Sequence, residues 1–282
     1  MSGNVKLGLP SGGSLTISGA DSASNLTVTI PAASDTVDLI NTAQTLTNKT
    51  ITAAGSNTVE ATSGPTSTQL AGQRNKIING AMMIDQRNAG ASVTPADGAY
   101  TLDRWFVFQF VASKFSVQQN AASVTPPTGF RNYLGVTSLS SYSVASGDAF
   151  TVGQAIEGFN TSDLAWGTSN ARSVTLSFQV YSSLTGTFGG SIQNSAANRS
   201  YPFTYSVSSA NTWTTISVTI PGDTTGTWVG ATNGKGLVLF FSLGCGTTYQ
   251  GTASSWAGAQ YFTATGATSV VGTSGATWYV TG

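Results

Sequence analysis

The sequence predicts an all-β protein, in which an extended, intertwined N-terminal segment precedes an antiparallel, jelly-roll-like β-sandwich. Three observations carry that expectation. Val174, Leu176, Phe178 and Val180 alternate with Thr175, Ser177 and Gln179, the two-residue period of a strand with one buried face. Runs of this kind are short and separated by clusters of Gly, Pro, Asn and Ser, the punctuation of sandwiches and jelly rolls. Helical periodicity is scarce, confined to a short piece over Thr68–Lys76 and one turn over Ser162–Trp166 that Ser162 is placed to cap.

In chain order, residues 1–74 contain no Trp, Tyr or Phe, yet they carry strand-like runs at Leu15-Thr16-Ile17 and at Leu26–Ile30, the latter ended by Pro31. A segment without large side chains fills no broad core of its own. It is therefore expected to take its partners from other copies, three chains wound together so that Leu26, Val28, Ile30, Leu39, Ile40 and Leu46 are buried. Aromatics become frequent from Tyr100 onward, and the sandwich is assigned to residues 75–282. Its expected strands are Trp105–Val111, Tyr133–Leu139, Val174–Val180, Phe203–Val207, Ile216–Ile220, Leu237–Leu243 and Trp278–Thr281.

Composition narrows the function classes. Only 8% of the 282 residues are charged, eleven basic against eleven acidic, where an ordinary domain carries roughly a quarter. The surface is therefore built from hydroxyls and amides. The clustered positive charge needed for nucleic acid is missing, and the longest apolar run, Leu237–Leu243, falls short of a bilayer span. The Met-Ser-Gly-Asn-Val-Lys start lacks the pattern of a secretory signal. Cys245 is the only cysteine, so no intrachain disulfide forms, and it is expected to be a small buried hydrophobe.

The chain contains no histidine, which removes Ser-His-Asp and Cys-His triads and histidine-ligated zinc. Gly234-Lys235-Gly236 lacks the glycine spacing and the following Ser or Thr of a phosphate loop, and reads as a turn. A glycosidase needs only two carboxylates, and Asp148, Glu157, Asp163 and Asp223 are the candidates. Nothing in the sequence pairs them, and acids beside Gly and Thr serve as turn residues or caps. The expectation is a protein with no catalytic residues, no cofactor and no resident metal.

Two stretches carry a resemblance to a known family. The first is Thr27-Val28-Thr29-Ile30-Pro31-Ala32-Ala33-Ser34-Asp35-Thr36 with Gln44-Thr45-Leu46-Thr47-Asn48-Lys49-Thr50-Ile51; the second is Asn79-Gly80-Ala81-Met82 through Asp85-Gln86-Arg87-Asn88 to Leu102-Asp103-Arg104-Trp105. In this order they resemble bacteriophage tail-fibre and receptor-binding proteins. That resemblance implies a virion-attachment or shaft segment over residues 1–74, a carbohydrate-binding-like β-sandwich over 75–282, and a homotrimer. It also implies a chain made in the bacterial cytoplasm and built into the virion, joined to other virion proteins through residues 1–74 and meeting a host-surface glycan through the sandwich. The alternatives are a purely structural head-fibre, decoration or tail component, and a polysaccharide depolymerase.

Within the second stretch Asp85, Arg87, Asp103, Arg104 and Trp105 are the structural-motif residues: Asp103 and Arg104 are expected to anchor a loop by hydrogen bonds or an ion pair, while Trp105, with Phe106, Phe108 and Phe110, fills the core. Trp166, Trp228, Tyr249 and Trp256 lie instead in Gly/Ser/Thr-rich, loop-like sequence. An aromatic face exposed there can stack on a sugar ring, so these four are the candidate glycan-binding residues, with packing the competing role for each.

Overall fold

The computed structural model describes residues 4–8, 14–18 and 75–282, and the chain divides into two units, Met1–Thr62 and Ser63–Gly282. In the first unit β1 (Asn4–Gly8) and β2 (Ser14–Ser18) pair antiparallel, from Asn4↔Ser18 to Gly8↔Ser14, so the Leu15-Thr16-Ile17 run is a strand. The expected strand at Leu26–Ile30, the intertwining of Leu39, Ile40 and Leu46, and residues 68–74 of the expected helical piece lie outside the described residues. Asn75 and Lys76, at the end of that piece, are not helical.

The second unit is all-β. Its strands are β3 (Phe106–Gln109), β4 (Phe115–Gln119), β5 (Leu134–Ser138), β6 (Ala149–Glu157), β7 (Val174–Ser182), β8 (Gly186–Asn194), β9 (Ser200–Val207), β10 (Thr214–Ile220), β11 (Lys235–Cys245), β12 (Gln250–Gly251), β13 (Thr263–Ala264) and β14 (Thr277–Thr281). Ten of them make two five-stranded sheets, in the orders β10-β7-β14-β5-β4 and β3-β6-β11-β8-β9, with every pairing antiparallel. Only β4 to β5 and β8 to β9 follow one another within a sheet. Every other step between these ten strands carries the chain across to the other sheet, as in a jelly roll.

The sandwich is closed by the residues that alternation aims inward. Phe178, Val180, Ile216, Leu134, Val136, Trp278 and Val280 of one sheet share a buried cluster with Phe150, Val152, Phe203, Leu239 and Phe241 of the other. Phe241 touches both sheets: its ring centroid lies 4.9 Å from Phe178 and 5.3 Å from Trp278 across the sandwich, and 6.3 Å from Phe203 and Trp105. Trp278 Nε1 donates to the Tyr205 hydroxyl at 2.9 Å, which satisfies the indole inside an apolar core. Burial there pushes the Tyr205 phenol far above its ordinary pKa.

Leu237–Leu243 reads as a continuous apolar run because β11 is covered on both faces. Leu237, Leu239, Phe241 and Leu243 enter the inter-sheet core, whereas Val238 and Phe240 join Ala149, Cys245 and Phe262 in a second cluster with Phe106, Phe108 and Tyr249 packed against it. This corrects the expectation that the four aromatics from Trp105 to Phe110 fill one core. Strand alternation places Trp105 inside and turns Phe106 and Phe108 to the second cluster, and Phe110 is 47% exposed.

Three strands of the two five-stranded sheets have no counterpart among the expected ones, β4, β6 and β8, and neither do the short β12 and β13. In β8 the signal is hidden by Gly189 and Gly190, which read as a turn. At Gly190 an added Cβ would overlap the Phe240 carbonyl oxygen and the Phe203 ring, so glycine is what allows close approach in the middle of a sheet.

The Asn79–Trp105 stretch caps one end of the sandwich. Gln154, fully buried on β6, accepts from Ile78 N–H and donates to Ile78 C=O, both at 2.8 Å, as a strand backbone would. The Asn79 side chain donates to the Ile84 and Asp103 carbonyls, and Trp105 Nε1 donates to Asn79 C=O at 3.1 Å. Asp85 accepts from Asn88 N–H and Gly90 N–H, Asp103 accepts from Gln86 N–H, and Arg87 lies over the Tyr100 ring at 5.4 Å. Arg104, at φ +75°, pairs with Glu157 at 2.6 Å. The expected helical turn is a 3-10 turn over Ser162–Leu164. Its N-cap is Thr161, and Ser162 donates its hydroxyl to Phe159 C=O instead of capping.

Candidate functional site

Three of the four sequence-predicted aromatics converge. Trp166 follows the 3-10 turn after β6, Trp228 follows β10, and Trp256 lies in the loop between β12 and β13. Their rings meet edge-to-face: Trp166–Trp228 at 4.8 Å, Trp166–Trp256 at 5.4 Å and Trp228–Trp256 at 5.5 Å, with interplanar angles of 81°, 78° and 80°. This is the arrangement that the ring quadrupoles favour. Trp166 is 7% exposed and is the inner member of the trio, while Trp228 and Trp256 are half-buried.

Each indole N–H is committed to the fold, Trp166 to Arg172 C=O at 2.7 Å and Trp256 to Pro221 C=O at 3.0 Å. Trp228 donates to the Asp223 carboxylate at 3.1 Å. Asp223, just after the proline that ends β10, also accepts from Arg199 through both Nε (2.8 Å) and Nη2 (2.6 Å), and from the Thr225 N–H and hydroxyl. Arg199 in turn lies over the Trp256 ring at 5.9 Å. Burial alone would raise the Asp223 pKa; the hydrogen bonds from Arg199, Thr225 and Trp228, with the charge of Arg199, outweigh it and hold the carboxyl below its ordinary range.

Tyr249 does not join this group. It packs at 5.4 Å from both Phe110 and Phe262, against the second cluster. What sequence reading missed is Tyr261. With Trp256, Gln250, Thr252, Ser255 and Thr265 it lines an open cleft of about 330 Å³. The β12–β13 loop that forms the cleft is clipped to the edge of β9: Ser200 and Ala257 exchange both backbone hydrogen bonds, and Ser254 N–H reaches Pro202 C=O. Tyr261 is held through its backbone, its N–H to Ser200 Oγ and its C=O from Gln193 Nε2. A second loop aromatic five residues past Trp256, in a stretch of Gly, Ala, Ser and Thr, was the available signal.

The candidate carboxylates are distributed among separate partners. Asp148 accepts from Tyr142 Oη and Ala145 N–H, Glu157 pairs with Arg104, Asp163 with Lys76 and Asp223 with Arg199. Among the described residues no three His, Cys, Asp or Glu side chains are grouped to hold a metal, and no helix is long and apolar enough to cross a membrane. Cys245 is buried, and burial pushes its thiol up to about 11.

Fold and geometry together define a jelly-roll-like β-sandwich with an uncharged, aromatic-walled cleft at one edge. No family model and no curated protein matches the chain. Among solved structures it is similar to one described as "CBM4 structure and function", at 13% identity and a TM-score of 0.32, covering 63% of this chain and 90% of that one.

Proposed function

We propose that this chain is a tail-fibre subunit of a bacteriophage, which joins the virion through residues 1–74 and binds a host-surface glycan in the cleft lined by Trp256 and Tyr261. The observation that carries the binding reading is the cleft itself. At about 330 Å³ it is within the size range of small-ligand sites, and its lining brings Trp256 and Tyr261 together with amide and hydroxyl groups, the residue types that stack on and hydrogen-bond a sugar. The phage assignment is supported by the Thr-Leu-Thr-Asn-Lys-Thr segment ahead of the Asp-Arg-Trp stretch. Binding is weak at each site and gains from several copies on one particle, commonly by about 10²- to 10⁴-fold where the copies engage together. The glycan is held and not cut.

Truncating Trp256 or Tyr261 to Ala is expected to weaken glycan binding by about tenfold, roughly 1.4 kcal/mol, while near-ultraviolet circular dichroism shows the sandwich intact. Glycan arrays and adsorption of the protein to host cells measure it. A folded Trp256→Ala protein that adsorbs as well as wild type would leave the purely structural reading as the better one.

The subunit is proposed to be a homotrimer, because residues 1–74 have strand-forming runs but no aromatic residue with which to build a core alone. Light scattering of the full chain is expected to give three times the chain mass. A monomer at micromolar concentration contradicts this, and a truncation starting at Asn75 should lose most of the assembly.

A further inference from the structure

We propose that the cleft selects uncharged glycans and refuses sugars bearing carboxylate, sulfate or phosphate groups, a proposal that rests on the glycan-binding reading above. Among the described residues the hydroxyls of Thr252, Ser255 and Tyr261 make no hydrogen bond within the chain, although all three line the cleft. They are left for a ligand, and a hydroxyl can both donate to and accept from a sugar hydroxyl. Gln250 donates one of its two Nε2 hydrogens to Cys245 C=O at 2.7 Å, which fixes a neutral amide in the wall. No charged side chain lines the cleft.

Arg199, the cation packed against the Trp256 wall, is already neutralised: its Nε and Nη2 both go to Asp223, which is itself 2% exposed. An anionic sugar entering the cleft would give up water and find no free positive charge to replace it. A neutral pyranose loses little by the same transfer, since its hydroxyls pair with hydroxyls and its C–H face lies on an aromatic ring.

Gly251 gives a way to move one wall without deleting any of the side chains that line the cleft. Its bare Cα lies against the Tyr261 ring, and a Cβ there would overlap that ring, so Gly251→Ala must displace Tyr261.

The test is a glycan array of the full chain, carrying neutral, uronate-bearing, sialylated and sulfated oligosaccharides, followed by calorimetry of the best binder at low and high salt. Neutral oligosaccharides are expected to dominate, with an affinity that salt does not change, and Gly251→Ala is expected to lower it about tenfold. Acidic glycans that bind more tightly, with affinity falling as salt rises, overturn the selectivity while leaving the glycan-binding reading in place. Unchanged affinity in Gly251→Ala removes the Tyr261 wall from the site and overturns the proposal as built. Binding of no glycan of any class overturns the reading itself.

Discussion

Phe241→Ala is expected to lower the free energy of unfolding by about 3–5 kcal/mol, the range for deleting a buried aromatic ring whose neighbours cannot close the gap. The neighbours are what set the magnitude. Phe241 is 1% exposed on β11, the middle strand of its sheet, and touches Trp105 and Phe203 as well as Phe178 and Trp278 of the opposite sheet. Large aromatic rings on both sheets cannot all swing into one void. For a unit of this size such a loss lowers the melting temperature by roughly 10 °C or more. Phe159→Ala is the contrast: that ring is 62% exposed, and its removal should change stability by no more than about 0.5 kcal/mol. Chemical denaturation of the two variants measures both. A Phe241→Ala protein as stable as wild type would mean that the two sheets are not held together through this ring.

How far the sequence could be read depended on whether a strand has one covered face or two. β10 is the edge strand of its sheet and β7 its neighbour, and both alternate between core-facing and more exposed residues, so their period-two patterns mark them plainly. β6 and β8 are covered on both sides, by the inter-sheet core on one and by the Phe240–Phe262 cluster and its loop on the other. Their sequences therefore carry small residues where rings cross them, and the alternation disappears. In the Asn79–Trp105 stretch Asp103 accepts from Gln86 N–H, while Arg104 donates to both Ala155 C=O and Glu157 on β6, partners too distant in the chain for a local sequence pattern to name. Burial was misjudged for Phe110: alternation keeps its ring beside Phe108, 5.1 Å away, and Tyr249, but at the margin of the second cluster, where it stays exposed.

The candidate site was legible as chemistry and illegible as geometry. Trp166, Trp228 and Trp256 are far apart in the chain, and only the crossings between sheets bring them to one edge, so their spacing foretells no contact among them. Tyr249 and Tyr261 look alike in sequence, each an aromatic among small polar residues. They are separated by the turn through β12 and β13, which sends Tyr249 toward Phe110 and Phe262 and leaves Tyr261 in the cleft wall.

Asp223→Ala is expected to cost about 2–4 kcal/mol. Breaking a buried ion pair by removing one partner costs about 3–5 kcal/mol because the other charge is left uncompensated, and the 18% exposure of Arg199 brings the figure down. The loss extends to the indole trio, since Trp228 Nε1 would keep only Thr225 C=O at 3.2 Å and the guanidinium over Trp256 would lose its anchor. Tryptophan fluorescence should therefore shift to longer wavelength in the folded variant. The pH dependence separates charge from shape. In the folded protein the Asp223 carboxyl lies below its unfolded value of about 3.9, so its contribution is fully present above that pH and is lost as pH falls through the folded value. Glu157, paired with Arg104, is also lowered and adds to the same acid dependence. Asp223→Asn has one oxygen where the carboxylate has two, so it keeps an acceptor for Thr225 or for Trp228 but not for both, and it carries no titrating proton; its unfolding free energy should be lower than wild type near neutral pH and fall less steeply on acidification. Parallel curves for Asp223→Asn and wild type from neutral pH down to the start of acid unfolding would show that the carboxylate holds the tryptophans by shape alone, and that its charge does not stabilise the site.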